Sequence, residues 1–101
     1  MANTFKRELA SITNTETMVY TVPAATTTVV IGFIISNTTD SLIEVDIEVA
    51  GKWLGKNIPI PAGSSLSPLD GKIVLEAADE VNVTADTATC GDAILSIMEI
   101  A

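Results

Sequence analysis

The amino-acid sequence predicts an all-β domain: a single antiparallel β-sandwich of about seven to eight short strands with a short N-terminal arm. Three observations carry this expectation. The apolar residues are mainly Val, Ile and Leu, and only four aromatics appear, Phe5, Tyr20, Phe33 and Trp53. β-Branched side chains pack well on a pleated surface and lose rotamer freedom in helices. Polar and apolar residues alternate at period two, most cleanly where Ile43, Val45, Ile47 and Val49 interleave with Glu44, Asp46 and Glu48. Turn chemistry recurs between the apolar runs, and no long segment has a helical period.

The elements follow in order. Residues 1–12 are mixed in polarity and read as an arm with one apolar anchor, Phe5; residues 13–101 form the sandwich. A strand at 17–22 ends at Pro23, which cannot donate to a ladder. Residues 27–36 are apolar throughout their middle, as in a central strand buried on both faces, and Gly32 suggests a bulge or close approach. Asn37-Thr38-Thr39-Asp40 is a turn. It is expected to join this strand to the alternating strand at 42–50 as a β-hairpin. Gly51 turns the chain into an irregular strand at 52–60, where Pro59 and Pro61 favour an edge position. Ala62-Gly63-Ser64-Ser65 and Asp70-Gly71 are further turns, followed by strands at 72–76 and 81–85. Thr89-Cys90-Gly91-Asp92 is the last turn. The strand at 93–100 puts Ile94, Met98 and Ile100 on one face and Leu95 and Ile97 on the other. Strand order is not written in periodicity, so jelly-roll and immunoglobulin-like sandwiches both fit.

Charge and composition narrow the function. Five basic against thirteen acidic residues give a net charge of −8. Such a surface repels phosphate backbones and anionic bilayers, so neither nucleic acid nor membrane is an expected partner. The chain has no histidine. That removes the commonest general base and transition-metal ligand, and with them any Ser-His or Cys-His nucleophile. The single cysteine, Cys90, rules out an intrachain disulfide and is expected to stay reduced as a small buried or turn residue, with a link to a second chain as the alternative. Glu44, Asp46 and Glu48 share one strand face and read as a solvated surface. No EF-hand or phosphate-binding glycine loop is present, so neither an enzymatic activity nor a cofactor is expected. Residues 1–10 lack the apolar region of a signal peptide and the longest apolar run, 29–35, is too short to span a bilayer; a soluble intracellular chain is expected.

Two stretches, YTVPAATTTVVIGFIISNTTDSLIEVDIEV at 20–49 and IPIPAGSSLSPLDGKIVLEAADEVNV at 58–83, cover more than half of the chain. They resemble small β-sandwich virion proteins of tailed bacteriophages, in which a "TVPA…TT" entry leads into a buried strand ending in "SNTT". A "PIPAGSS" turn and a "GKIVLEA-D" segment come later. This chain departs at Ala78, where that class often has glycine before the aspartate matched by Asp79. The resemblance implies a non-enzymatic virion protein made in the host cytoplasm and assembled in many copies. A capsid decoration or cement protein on the major capsid protein comes first, a neck, collar or tail component next. A receptor- or glycan-binding module is the rival, with Trp53 and Tyr20 as its candidate aromatics.

A homo-oligomer that packs on other virion proteins is therefore expected. The candidate interface residues are Phe5, which anchors the arm, and Lys52, Trp53 and Leu54, because tryptophan is enriched at interface hot spots. A tryptophan closing one end of the core is the competing reading of Trp53.

Overall fold

The computed structural model describes residues 2–101; Met1 lies outside them. Nine strands follow one another without a helix among the described residues: β1 (Asn3–Ile12), β2 (Thr17–Thr21), β3 (Thr27–Asn37), β4 (Ile43–Val49), β5 (Lys52–Ile60), β6 (Ser65–Leu66), β7 (Ile73–Leu75), β8 (Glu80–Ala85) and β9 (Gly91–Ile100). They form two antiparallel sheets. Sheet I runs β1-β9-β3, with β6 and β7 both pairing with β3; sheet II runs β2-β8-β4-β5. With β6 and β7 counted as one interrupted strand, this is the double-sheet order of a jelly roll, which settles the choice left open by periodicity.

Between the sheets lies the aliphatic core the composition predicts. Ile12, Ile35, Ile43, Val45, Ile47, Val83, Leu95 and Ile97 are all inaccessible or nearly so, with Phe33 among them. On β4, Ile43, Val45 and Ile47 face inward and Glu44 faces solvent, as the alternation requires. The bulge expected at Gly32 is present as a register shift between Val30 and Gly32 against β9.

Three expectations need correction. The arm is, over Asn3–Ile12, the outer strand of sheet I, paired with β9 along its full length from Asn3↔Ile100 to Ile12↔Gly91. Its polarity is mixed because only its far end reaches the core: Ala10 is half-buried and Ile12 buried, whereas residues 3–7 are exposed. Phe5 therefore anchors nothing within this chain. Second, β3 and β4 are not a hairpin, because they belong to different sheets. Third, β3 is central but covered on one face only: Phe33 and Ile35 are buried, while Ile31 and Ile34 on the far side are exposed. Two smaller shifts accompany these. Ser65 opens β6 instead of ending a turn, and β9 begins at Gly91.

The crossing from β3 to β4 is organised by one buried amide. Asn37 is 2% exposed. Its Nδ2 donates to the carbonyls of Ser41 at 2.7 Å and Ile60 at 2.9 Å. Its Oδ1 accepts from the Thr39 amide at 2.9 Å and the Thr39 hydroxyl at 2.7 Å. The Asn37 amide itself donates to Ser64 at 2.8 Å, and Thr38 donates to Cys90 at 2.9 Å. The turn read from Asn37-Thr38-Thr39-Asp40 is thus real, but it lifts the chain from one sheet onto the other. Close beside it, Gly91 sits so near the Ser36 carbonyl that a β-carbon would collide with backbone.

Two stability changes are expected. Asn37→Asp replaces two donated bonds with carboxylate facing carbonyls; it should lower unfolding free energy by about 2–4 kcal/mol in denaturant titrations, since buried polar groups left unpaired cost about 1–3 kcal/mol each. Ala78 holds a left-handed φ of 73° in the turn before Asp79. Left-handed geometry costs an alanine about 1–2 kcal/mol and glycine little, so Ala78→Gly should raise stability by up to about 1 kcal/mol after the added chain entropy is subtracted.

Candidate functional site: the outer face of sheet I

Directly opposed residues on antiparallel strands point to the same side of a sheet. On sheet I the inward side of β9 carries Ala93, Leu95 and Ile97, so its outward side carries Asp92, Ile94, Ser96 and Met98. The register then fixes two apolar rows of outward neighbours, on either side of the row Arg7–Ser96–Gly32. One runs Leu9–Ile94–Ile34 across β1, β9 and β3. The other runs Phe5–Met98–Val29–Val74 across β1, β9, β3 and β7. Phe5, Leu9, Ile31, Ile34, Val74 and Ile94 each retain between 42% and 73% of their accessible surface. Arg7 and Asp92 are the charged members of these outward positions on β1, β9 and β3, and their charges cancel.

Sheet II turns a different face to solvent. Glu44, Asp46 and Glu48 lie on the outward side of β4, and Asn82 and Thr84 oppose Glu48 and Asp46 from β8. One sandwich face is therefore apolar and electrically neutral, and the other is acidic.

Of the interface residues expected from the sequence, Phe5 lies in the apolar face. Lys52, Trp53 and Leu54 are also at the surface, on β5 at the edge of sheet II. Because β1 packs beside β2 and β5 closes the opposite end of the order, Phe5 and the β5 triplet occupy opposite edges of the sandwich. Trp53 does not close the core: it is 55% exposed and faces outward beside Glu48, with the Lys56 ammonium 4.7 Å from its ring centre. Leu9, Ile31, Ile34, Val74 and Ile94 were not singled out from the sequence. The signals were present in the uninterrupted run at 29–35 and in the Ile94–Met98 stripe.

Tyr20 is buried and does not join Trp53 in an aromatic platform. Its hydroxyl donates to Glu99 Oε2 at 2.6 Å and sits 2.9 Å from the Thr28 hydroxyl, which ties β2 of sheet II to β9 and β3 of sheet I. Lys6 Nζ lies 3.5 Å from the other oxygen of Glu99. Burial, reinforced by the Glu99 carboxylate, pushes the Tyr20 phenol up to about 12. Cys90 is fully buried, with its thiol pushed up by desolvation and its sulfur 3.8 Å from the Ile12 carbonyl.

No protein family and no curated protein matches this chain. Its fold is similar to solved structures. One is a subunit of the Bacillus endospore appendages, described as disulfide-linked pili, with a TM-score of 0.55 and 14% identity over 97% of this chain and 84% of that one. Another is a family 35 carbohydrate binding module from Clostridium thermocellum, with a TM-score of 0.41 and 11% identity over 98% of this chain and 92% of that one. At these identities the first likeness shows a shared all-β sandwich, and the second carries no argument.

The tyrosine cluster makes a pH prediction. The folded phenol holds its proton up to about 12, whereas the unfolded one releases it near 10. The folded state therefore binds more protons between these values. The stabilisation is complete below pH 10 and is lost as pH rises towards 12, at about 1.4 kcal/mol per pH unit. Because the chain has one tyrosine, phenolate absorbance reports Tyr20 alone, and its midpoint should lie near 12 in the folded protein.

Proposed function

We propose that this chain is a non-enzymatic structural subunit that works by packing the outer face of sheet I against other protein chains. The observation that supports it best is the mismatch on β3. Its sequence has the continuous apolar run of a strand buried on both faces, yet in the single chain Ile31 and Ile34 face solvent. Contiguous exposed apolar surface of this kind marks interaction sites.

The particular role we put forward is a decoration or cement protein of a bacteriophage virion, bound to the assembled capsid shell; attachment at the neck, collar or tail would use the same surface. The motif resemblance at 20–49 and 58–83 favours this reading. The fold likeness to a pilus subunit favours multi-copy assembly more generally. Disulfide linkage, named for those pili, is not available to a buried Cys90, so cohesion here rests on non-covalent burial. Lys52, Trp53 and Leu54 at the opposite edge would supply a second contact, letting one subunit bridge two neighbours and stabilise the shell. Many weak contacts repeated on a lattice give strong retention.

Cryo-electron microscopy of particles carrying the chain should show it on a regular lattice with sheet I facing the shell. Ile94→Glu should leave thermal unfolding unchanged, because Ile94 faces solvent in the isolated chain, and lower particle occupancy by about tenfold or more, since burying an unpaired carboxylate costs well over the 1.4 kcal/mol per decade of affinity. Full occupancy by that variant, or density with sheet I turned to solvent, would overturn the docking face. Absence of the chain from any particle would overturn the virion role.

A further inference from the structure

The four sheet edges are not alike. β2 has five residues and a register shift between Met18 and Tyr20. β5 carries two register shifts against β4, with Asn57 at a φ of 52° and its amide tied to Asp46 Oδ1. β6 and β7 span two and three residues. Short, bulged or twisted edges are how β proteins block unwanted strand addition. β1 is neither short nor bulged: it is ten residues long and pairs with β9 in unbroken register, and the charges that guard it, Lys6, Arg7 and Glu8, are of both signs and so can match an antiparallel copy of themselves.

The free backbone groups of β1 can be assigned. Ala2 and Ala101 exchange both N–H···O bonds at 3.0 Å. Regular alternation then makes Thr4, Lys6, Glu8 and Ala10 the residues bonded to β9. The N–H and C=O groups of Asn3, Phe5, Arg7, Leu9 and Ser11 point away, into the open edge.

We infer that β1 pairs antiparallel with β1 of a second copy of this chain, about a two-fold axis at Arg7, joining two copies of sheet I into one continuous sheet. This inference stands apart from the docking face proposed above. Charge selects the occupant and the register. With Arg7 opposite its own copy, Lys6 faces Glu8 of the second copy, and Glu8 faces its Lys6. Phe5 faces Leu9 twice on the outer side, which carries the apolar rows across the axis without a break. Shifting the register by two residues in either direction places Lys6 opposite Lys6 or Glu8 opposite Glu8 and loses both opposite-charge pairs. Arg7 opposite Arg7 is the one like-charge pair of this register; both lie on the outer side of the sheet, where their long stems let the guanidinium groups diverge.

Sedimentation velocity of the full chain tests this. The wild type is expected to sediment as a dimer of the 10.5 kDa chain. Arg7→Pro removes one outward N–H and no bond to β9, so it should give a folded monomer with unchanged circular dichroism. Lys6→Glu and Glu8→Lys, each alone, place like charges opposite one another and should weaken self-association; mixing the two variants should restore it as a heterodimer. A monomeric wild type, a dimeric Arg7→Pro, or a mixture that associates no better than its parts would overturn the inference. Ile94→Glu should remain dimeric, so failure of the docking face and failure of edge pairing are told apart.

Discussion

The sandwich depends on the buried amide of Asn37. A chain leaving β3 meets two options of similar length: fold back beside β3 as a hairpin, or climb to the opposite sheet. Asn37 makes the second possible by bonding at once to the near carbonyl of Ser41 and to Ile60 at the end of β5. Both ends of its side chain are used, so the desolvation cost of burying it is met. The same end gathers Ile12, Gly91 and Asn37 in one register row, with Gly91 leaving room for the Ser36 carbonyl where a β-carbon would collide with it. That crossing places β4 in sheet II, between β8 and β5.

At the opposite end the sheets are joined by a polar group of a different kind. Tyr20 reaches from β2 across the interlayer space to Glu99 on β9 and Thr28 on β3. A phenol donating to one oxygen of a carboxylate whose other oxygen faces Lys6 leaves both oxygens of Glu99 partnered at the rim of the core. Between these two polar clasps the interior is mainly aliphatic, with Phe33 as its aromatic member.

Much of this was legible in the sequence, and the parts that were not have physical causes. Ile43 through Val49 lies on a strand with one wet and one dry face, so its alternation reads directly. Gly32 announced its bulge, and Pro59 and Pro61 announced an edge. β1 has the sequence of an arm because an edge strand needs few core residues: among its inward positions only Ala10 and Ile12 are apolar, with Lys6 and Glu8 among the rest. The hairpin reading of β3 and β4 failed because a turn sequence reports that the chain bends, not which sheet it bends towards. The candidate surface was half visible. Phe5, an apolar residue isolated in a polar segment, belongs to the apolar face, whereas Ile31 and Ile34 read as core because hydrophobicity alone does not reveal whether a strand is covered on one face or on two.

The unequal charging of the two faces has a kinetic consequence. Glu44, Asp46 and Glu48 on one side, against a neutral opposite side, give the molecule a lopsided field. Near any surface of like sign, that field exerts a torque that swings the acidic side away and brings sheet I round to the front. Orientation would thus be decided before contact, over roughly one Debye length, about 8 Å at physiological ionic strength. Added salt would blunt this alignment but also screen the repulsion between such a surface and a chain of net charge −8, so encounters become more frequent and less oriented while the apolar contact itself stays intact.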